Sequence, residues 1–267
     1  MKTTHSLPSA DDPRDSPLFN NSLEKGLAVI LAIGNHRRAM NLPEIAGATG
    51  MTKSAAQRFT YSLEVMGYLR KDADRKKYFL TPKCLALGFG YLQANWLIDH
   101  ANPFLLELNR KSGETVNLSE PLETDMVFVA RFPSQKNISI HMPVGRRLPM
   151  FCTASGRAYL SALPVSVARD YIDKSDLTKI TPNTEIDPKV LLQRISDAKT
   201  AGYAWANEEY FRGDINIAAP LVDANGDVLG AINISLPTSR WTLETGQQQL
   251  AQLLIETARA ISTSPPR

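Results

Sequence analysis

The sequence predicts an α+β protein in two parts: a small N-terminal helical unit closed by a hairpin, then a larger domain with an antiparallel sheet flanked by helices. Three observations predict it. Between residues 41 and 80 the apolar spacing changes from helix-like to two short strand-like runs. From Ile98 onward, strand-like runs joined by turn residues alternate with amphipathic stretches. The 267 residues, 43% hydrophobic and 21% charged, suffice for two ordinary cores.

Residues 1–19 are polar, rich in Pro and Asp, and lack an apolar signal core, so they are expected to be a disordered tail. Asn21 is expected to cap the first helix with Glu24 as its partner, and Leu23, Leu27, Ile30 and Leu31 to be its buried stripe. Pro43 suits the first turn of a second, short helix, where its missing N–H costs nothing. Ile45 and Ala46 pack inward and Gly50 supplies a sharp turn. Thr52 caps a third helix from Lys53 to about Met66, with Gly67 closing it. Its stripe is Ala56, Phe59, Leu63 and Met66.

Ser54, Gln57, Arg58 and Tyr61 fall on the opposite face of that helix. Arg58 suits the bidentate contact to guanine and Gln57 the one to adenine. Tyr68–Arg70 and Tyr78–Leu80 then read as a hairpin with a charged turn. Short helix, tight turn, second helix and basic hairpin form the layout of a winged helix-turn-helix, spanning residues 20–82. The residues expected to meet DNA are Thr52, Lys53, Ser54, Gln57, Arg58 and Tyr61 on the helix, and Arg75, Lys76 and Lys77 on the wing. Any exposed helix is polar and any hairpin can carry a basic turn. The order and spacing of all these features together favour DNA.

Charge distribution agrees. From Asn20 to Lys83 there are eleven Lys and Arg against five acids, a net +6, whereas the whole chain is +3, leaving −3 elsewhere. Positive charge thus sits where a phosphate backbone is expected. The two cysteines, Cys84 and Cys152, make neither a disulfide framework nor a CxxC metal pattern. There is no run of about eighteen apolar residues for a membrane span. A cytoplasmic protein is expected.

Thr81 is expected to cap a linker helix over residues 83–97, interrupted by Gly88 and Gly90, with Leu85, Leu92 and Trp96 facing a core or a partner chain. The larger domain is expected over residues 98–265. Its elements are a helix from Ala101 to Lys111, strands at Thr115–Ser119, Met126–Phe132 and Ile138–Met142, and helices at Ser155–Leu163 and Val165–Lys174. Asp187-Pro188 opens a helix that ends at Gly202. Strands at Tyr203–Asn207, Ile215–Val222 and Val228–Leu236 follow, the last two joined by the turn at Asp223–Gly226, and a helix from Leu243 to Ile261 closes the chain.

Five blocks in order carry a family resemblance from about Asn21 to Ser262. They are SLEKGLAVI with the LPEIAGATGMTKSAAQRFTYSLEVMGYL unit, GETVNL at Gly113, VGRRLPMFCTASGRAYLSALP at Val144, GYAWANEEYFRGDINIAAPL at Gly202 and INISLPTSR at Ile232. On these the chain resembles the IclR family of bacterial transcriptional regulators. The resemblance implies a GAF-like effector domain, homodimers that pair into tetramers, a pseudo-palindromic operator, and control of catabolic genes. No cofactor is expected, and the residue spacings give no catalytic constellation and no metal site.

The effector site it implies lies at Ala154 and Ser155, which open a helix and offer N–H groups to an anion. Asn216 stands where family members place a small pocket residue, and Asn233 and Ser235, alternating on one strand, are expected to add a polar floor, with Asn117 and Met150 in neighbouring segments. Two departures stand out. The run Ala206-Asn207-Glu208-Glu209 replaces two acids of a DDEE-like pattern, and Asn233 replaces the first serine of the last strand. A pocket that loses an acid and gains amides should take an aromatic or other organic acid rather than a small 2-oxo acid.

Other residues have plainer readings. Cys152 is expected to be packing, since no triad pattern surrounds it. The four histidines, His5, His36, His100 and His141, show no metal spacing. Glu208 and Glu209 are expected to be surface or dimer-contact charges. Arg146 and Arg147 are expected in a solvated loop, with an effector carboxylate as their alternative partner. The runner-up function is an enzyme with an appended DNA-binding domain, acting on a small organic acid.

Overall fold

The computed structural model describes residues 13–36, 38–72, 74–136 and 142–263. It divides into two compact units between Tyr91 and Leu92. The strand expected at Ile138–Met142 and the histidines at 5 and 141 lie outside the described residues, apart from Met142, which is not in a strand.

In the first unit, α1 (Asn21–His36), α2 (Leu42–Thr49) and α3 (Lys53–Val65) pack around Val29, Ile33, Met40, Ile45, Ala56, Leu63, Leu69 and Tyr78. The wing strands are β2 (Leu69–Asp72) and β3 (Lys77–Leu80), and β1 (Met40–Asn41) adds a third strand along β3. Asn41 and Glu44 form a reciprocal capping box at the start of α2. Gly50 (φ 67°) takes the left-handed conformation that ends it.

Two expectations for α1 are corrected. Its cap is Asn20, whose side chain accepts from the N–H groups of Ser22 and Leu23. Its core residues are Val29 and Ile33, while Leu23, Leu27 and Leu31 are exposed. One helix carries apolar residues on two faces, and only the Val29 face meets α2 and α3. Likewise Met66, beyond the end of α3, is exposed, and Thr60 takes the buried place by bonding back to Ala56 O. Of the polar tail, Pro13–Asp15 form a 3-10 turn.

Thr81 caps a 3-10 turn at Pro82–Cys84 rather than the linker helix itself. α4 (Leu85–Ala94) follows, and α5 (Trp96–Ser112) starts afresh at the Asn95 cap, earlier than expected. The second unit is a six-stranded antiparallel sheet in the order β6-β5-β4-β9-β8-β7. The strands are β4 (Thr115–Leu122), β5 (Asp125–Phe132), β6 (Arg147–Pro149), β7 (Ala204–Asn207), β8 (Asp214–Val222) and β9 (Val228–Pro237). α5 and α9 (Leu243–Thr263) cover one face. α6 (Ala154–Ala162), α7 (Val165–Lys174) and α8 (Pro188–Ala201) lie on the other.

Strand alternation assigns the faces. Val116, Leu118, Ile215, Ile217, Ile232 and Ile234 point to α5 and α9. Asn117, Asn216, Asn233 and Ser235, offset by one, point the other way and line a cavity. α6 seats directly on the loop before it: a Cβ at Gly156 would run into the Met150 backbone. Gly156→Ala should therefore destabilise this unit by about 1–3 kcal/mol. All three tryptophans (96, 205 and 241) lie in this unit, so urea unfolding followed by tryptophan fluorescence reads it. An unchanged midpoint would show that the contact can relax.

Candidate functional site

The first unit presents a basic surface. Thr52 caps α3 by accepting from Ala55 N, and Lys53, Ser54, Gln57, Arg58 and Tyr61 are all exposed. Arg75 and Lys76 are exposed in the wing turn and Lys77 is half-buried. The turn is held by Asp72, whose Oδ1 accepts from the N–H groups of Asp74 and Arg75. A groove within this unit is lined by Lys53, Lys71, Arg75 and Lys76 with Glu64 as its one acid. Lys71 was not singled out in the sequence. Its ammonium lies 5.7 Å from the Tyr78 ring centroid, and its neighbour Arg70 lies over Phe79.

The second unit holds a cavity between the sheet and α6. Its volume is about 40 Å³. One part of its lining is a polar network across β5, β4, β9 and β8. Arg131 Nη1 donates to Asn117 Oδ1 at 3.1 Å, and Asn117 donates to Asn233. Asn233 Oδ1 also accepts from Ser155, while its amide donates to Asn216 at 2.7 Å. Asn216 and Ser235 both donate to the Asp214 carboxylate, at 2.7 and 2.6 Å. The other part is apolar and aromatic: Phe128, Met142, Leu148, Tyr210 and Phe211.

Arg131 and Phe128 share this face because of a bulge. Asn117 pairs with Arg131, Leu118 with Ala130, and Ser119 with Phe128, so Val129 is the extra residue. Strict alternation puts residues three apart on opposite faces. The bulge puts both into the cavity.

A helix leaves its first N–H groups without acceptors of its own. Thr153 Oγ1 caps that of Gly156, and Ala154 and Ser155, which precede it, line the cavity. Met150, expected beside them, is fully buried and outside the lining.

One expectation is overturned and two are refined. Glu209 is no surface charge: it is buried against Arg157, with Nη1 to Oε1 at 2.7 Å, and Arg194 joins it at 3.0 Å. The cavity does not lack an acid, because Asp214 supplies one. Arg146 and Arg147 are not equivalent: Arg147 pairs with Glu123 and Asp125, while Arg146 donates to the Tyr210 hydroxyl.

Burial pushes the Cys152 thiol up to about 12, with Arg157 opposing, so it stays protonated and un-nucleophilic. Among the described residues no three of His, Cys, Asp and Glu gather as a metal would need. His100 bonds Ile261 O and makes tilted ring contacts with Trp96 and Phe104, a packing role. No helix among the described residues is long and apolar enough to cross a membrane.

Residues 22–73 match the IclR helix-turn-helix domain, and residues 89–263 match the bacterial transcriptional regulator IclR C-terminal domain. The chain belongs to the IclR family of transcriptional regulators. It is 32% identical over 244 residues to the Pca regulon regulatory protein of Pseudomonas putida, covering 91% of this chain and 83% of that one. A transcriptional regulator from Rhodococcus sp. RHA1 superposes with a TM-score of 0.77 at 32% identity, covering 91% of this chain and 97% of its own. The inducer-binding domain of PobR from Acinetobacter, a double mutant in complex with 3-hydroxybenzoic acid, superposes with a TM-score of 0.56 at 30% identity. It covers 61% of this chain and 95% of its own. The relatives are regulators, so the regulator reading stands and the enzyme reading falls.

Burial is the main force on Asp214 and raises its carboxyl to about 6, with Ser235, Asn216 and Arg131 pulling it back. The sign follows from linkage. The folded regulator holds this proton at pH values where the unfolded chain has lost it, so stability falls as pH rises from about 4 to 6. Asp214→Asn should remove that fall, worth on the order of 2–3 kcal/mol at pH 7 relative to pH 4. Urea unfolding of both proteins across that range reads it. Parallel pH profiles would place the Asp214 proton elsewhere.

Proposed function

We propose that this regulator binds a small aromatic acid in the cavity beneath α6 and that the acid modulates its grip on an operator. The observation that carries this is Arg131, a cation lining a cavity of amides and aromatic rings whose two acids already have partners, Asp214 in Asn216 and Ser235 and Glu209 in Arg157. A guanidinium fits a carboxylate in two-pronged fashion, and a helix N-terminus adds partial positive charge. Phe128, Tyr210 and Phe211 suit the body of an aromatic ring. The 3-hydroxybenzoic acid held by the PobR domain supports the same ligand class. Catabolic genes for such acids are the expected targets.

The DNA partner is met through α3 and the wing. A homodimer reading a pseudo-palindrome is the expected form. Leu23, Leu27 and Leu31 on α1, and Leu85, Leu87, Phe89 and Tyr91 on α4, are exposed apolar side chains suited to joining two copies.

Fluorescence anisotropy on the regulator's own upstream DNA, beside a scrambled duplex, tests the first half. Arg58→Ala should lose about 1–3 kcal/mol of the preference. Equal binding of both duplexes, or an indifferent Arg58→Ala, would contradict the reading helix. Arg131→Gln should weaken calorimetrically measured benzoate or hydroxybenzoate binding at least tenfold. Unchanged affinity would remove Arg131 as the anchor.

A further inference from the structure

Tyr210 stands at the apolar part of the cavity, packed edge-on against Phe211 with ring centroids 4.6 Å apart. Its hydroxyl has one partner among the described residues: Arg146 Nη2, at 3.3 Å. Arginine only donates. The tyrosine oxygen must therefore accept, which leaves its own proton to be given away. Arg146 is itself half-buried, and its Nε is a buried donor with no acceptor among the described residues. Buried donors normally find acceptors, so the Arg146 Nε hydrogen is unusual, and it belongs to the same guanidinium that meets the half-buried Tyr210 hydroxyl. Neither belongs to the Arg131–Asn117–Asn233–Asp214 network.

The pair is held in place. Arg146 O accepts from Phe128 N at 3.0 Å, and Gly145 N donates to Phe128 O at 2.7 Å, so the arginine's backbone is pinned to a strand residue that lines the cavity. From the other side, Glu208 Oε2 accepts from Gly213 N and Glu209 is locked to Arg157, which fixes the loop carrying Tyr210. A positive, donor-rich corner against an otherwise apolar wall calls for an oxygen. We infer that Tyr210, oriented by Arg146, donates to a second oxygen of the effector, so that the effector is an acid with a hydroxyl or a further carboxylate remote from the carboxylate at Arg131. Tyr210 is the contact and Arg146 the positioning residue. This rests on the effector reading above.

Isothermal titration of the full-length regulator with benzoate, 3-hydroxybenzoate, 4-hydroxybenzoate and benzene-1,4-dicarboxylate tests it. The wild type should bind at least one of the three oxygenated acids on the order of tenfold tighter than benzoate. Which one wins distinguishes a hydroxyl from a carboxylate and sets its position on the ring. Tyr210→Phe should abolish that preference while benzoate affinity stays within about twofold. Arg146→Met should reduce the preference and Arg146→Lys should restore part of it. The double variant Tyr210→Phe/Arg146→Met should be no worse than Tyr210→Phe alone. A Tyr210→Phe protein that keeps the preference, or that loses all four acids equally, overturns the inference. Wild type that binds all four acids alike overturns this inference alone. Wild type that binds none of them overturns the effector reading with it.

Discussion

Arg157 lies in the middle of the second unit with 1% of its surface exposed, so its charge must be neutralised where it stands. Glu209 does this with both carboxylate oxygens, and the carbonyls of Phe151 and Trp205 take further guanidinium hydrogens. Glu209 in turn binds Arg194 of α8 and, through its own carbonyl, the hydroxyl of Thr184. A pair this deep stabilises little by comparison with an apolar core of the same shape. Breaking it by removing one partner costs about 3–5 kcal/mol, because the survivor is left charged and unpaired. Its value here is geometric. It joins α6, whose first residues face the cavity, to the loop that carries Tyr210 and Phe211 and to α8 behind them.

A second buried carboxylate does the same for the opposite side of the sheet. Glu114, just before β4, receives Arg240, Trp241 and Lys136. Burial alone would raise its carboxyl, but these donors outweigh it and hold it below the usual range. It ties the start of β4 to the turn between β9 and α9. With the start of β4 and the end of β9 fixed, the residues that follow along these strands are free to be functional. That is where Asn117 and Asn233 sit, spending amide hydrogen bonds on one another and on the cavity rather than on the fold.

Much of this was legible in the chain because local rules and tertiary structure agree. The turn at Gly50, the cap at Thr52, the Asp187-Pro188 start of α8 and the Asp223–Gly226 hairpin are all set by residues within one turn of each other. The polar positions on β8 and β9 were legible from alternation alone. What was not legible came from longer range. Arg131 reaches the cavity only because of the bulge at Val129, which leaves no mark in the alternation. Glu209 looked like a surface acid because its partner lies fifty-two residues away. Leu23, Leu27 and Leu31 looked like core because spacing identifies an apolar face without saying what covers it. Asp214 sits one position before the expected strand start, where it read as part of a loop.

Regulation requires that the cavity and the DNA-reading helix influence one another, and such coupling is reciprocal. The measurement that bears most directly on this is a linked titration. Operator affinity is determined by anisotropy with and without saturating aromatic acid, and acid affinity by calorimetry with and without saturating operator. The two affinity ratios should be equal and lie within about 5- to 150-fold. An acid that binds tightly while both ratios stay at one would contradict the account, since occupancy of the cavity would then carry no message to DNA.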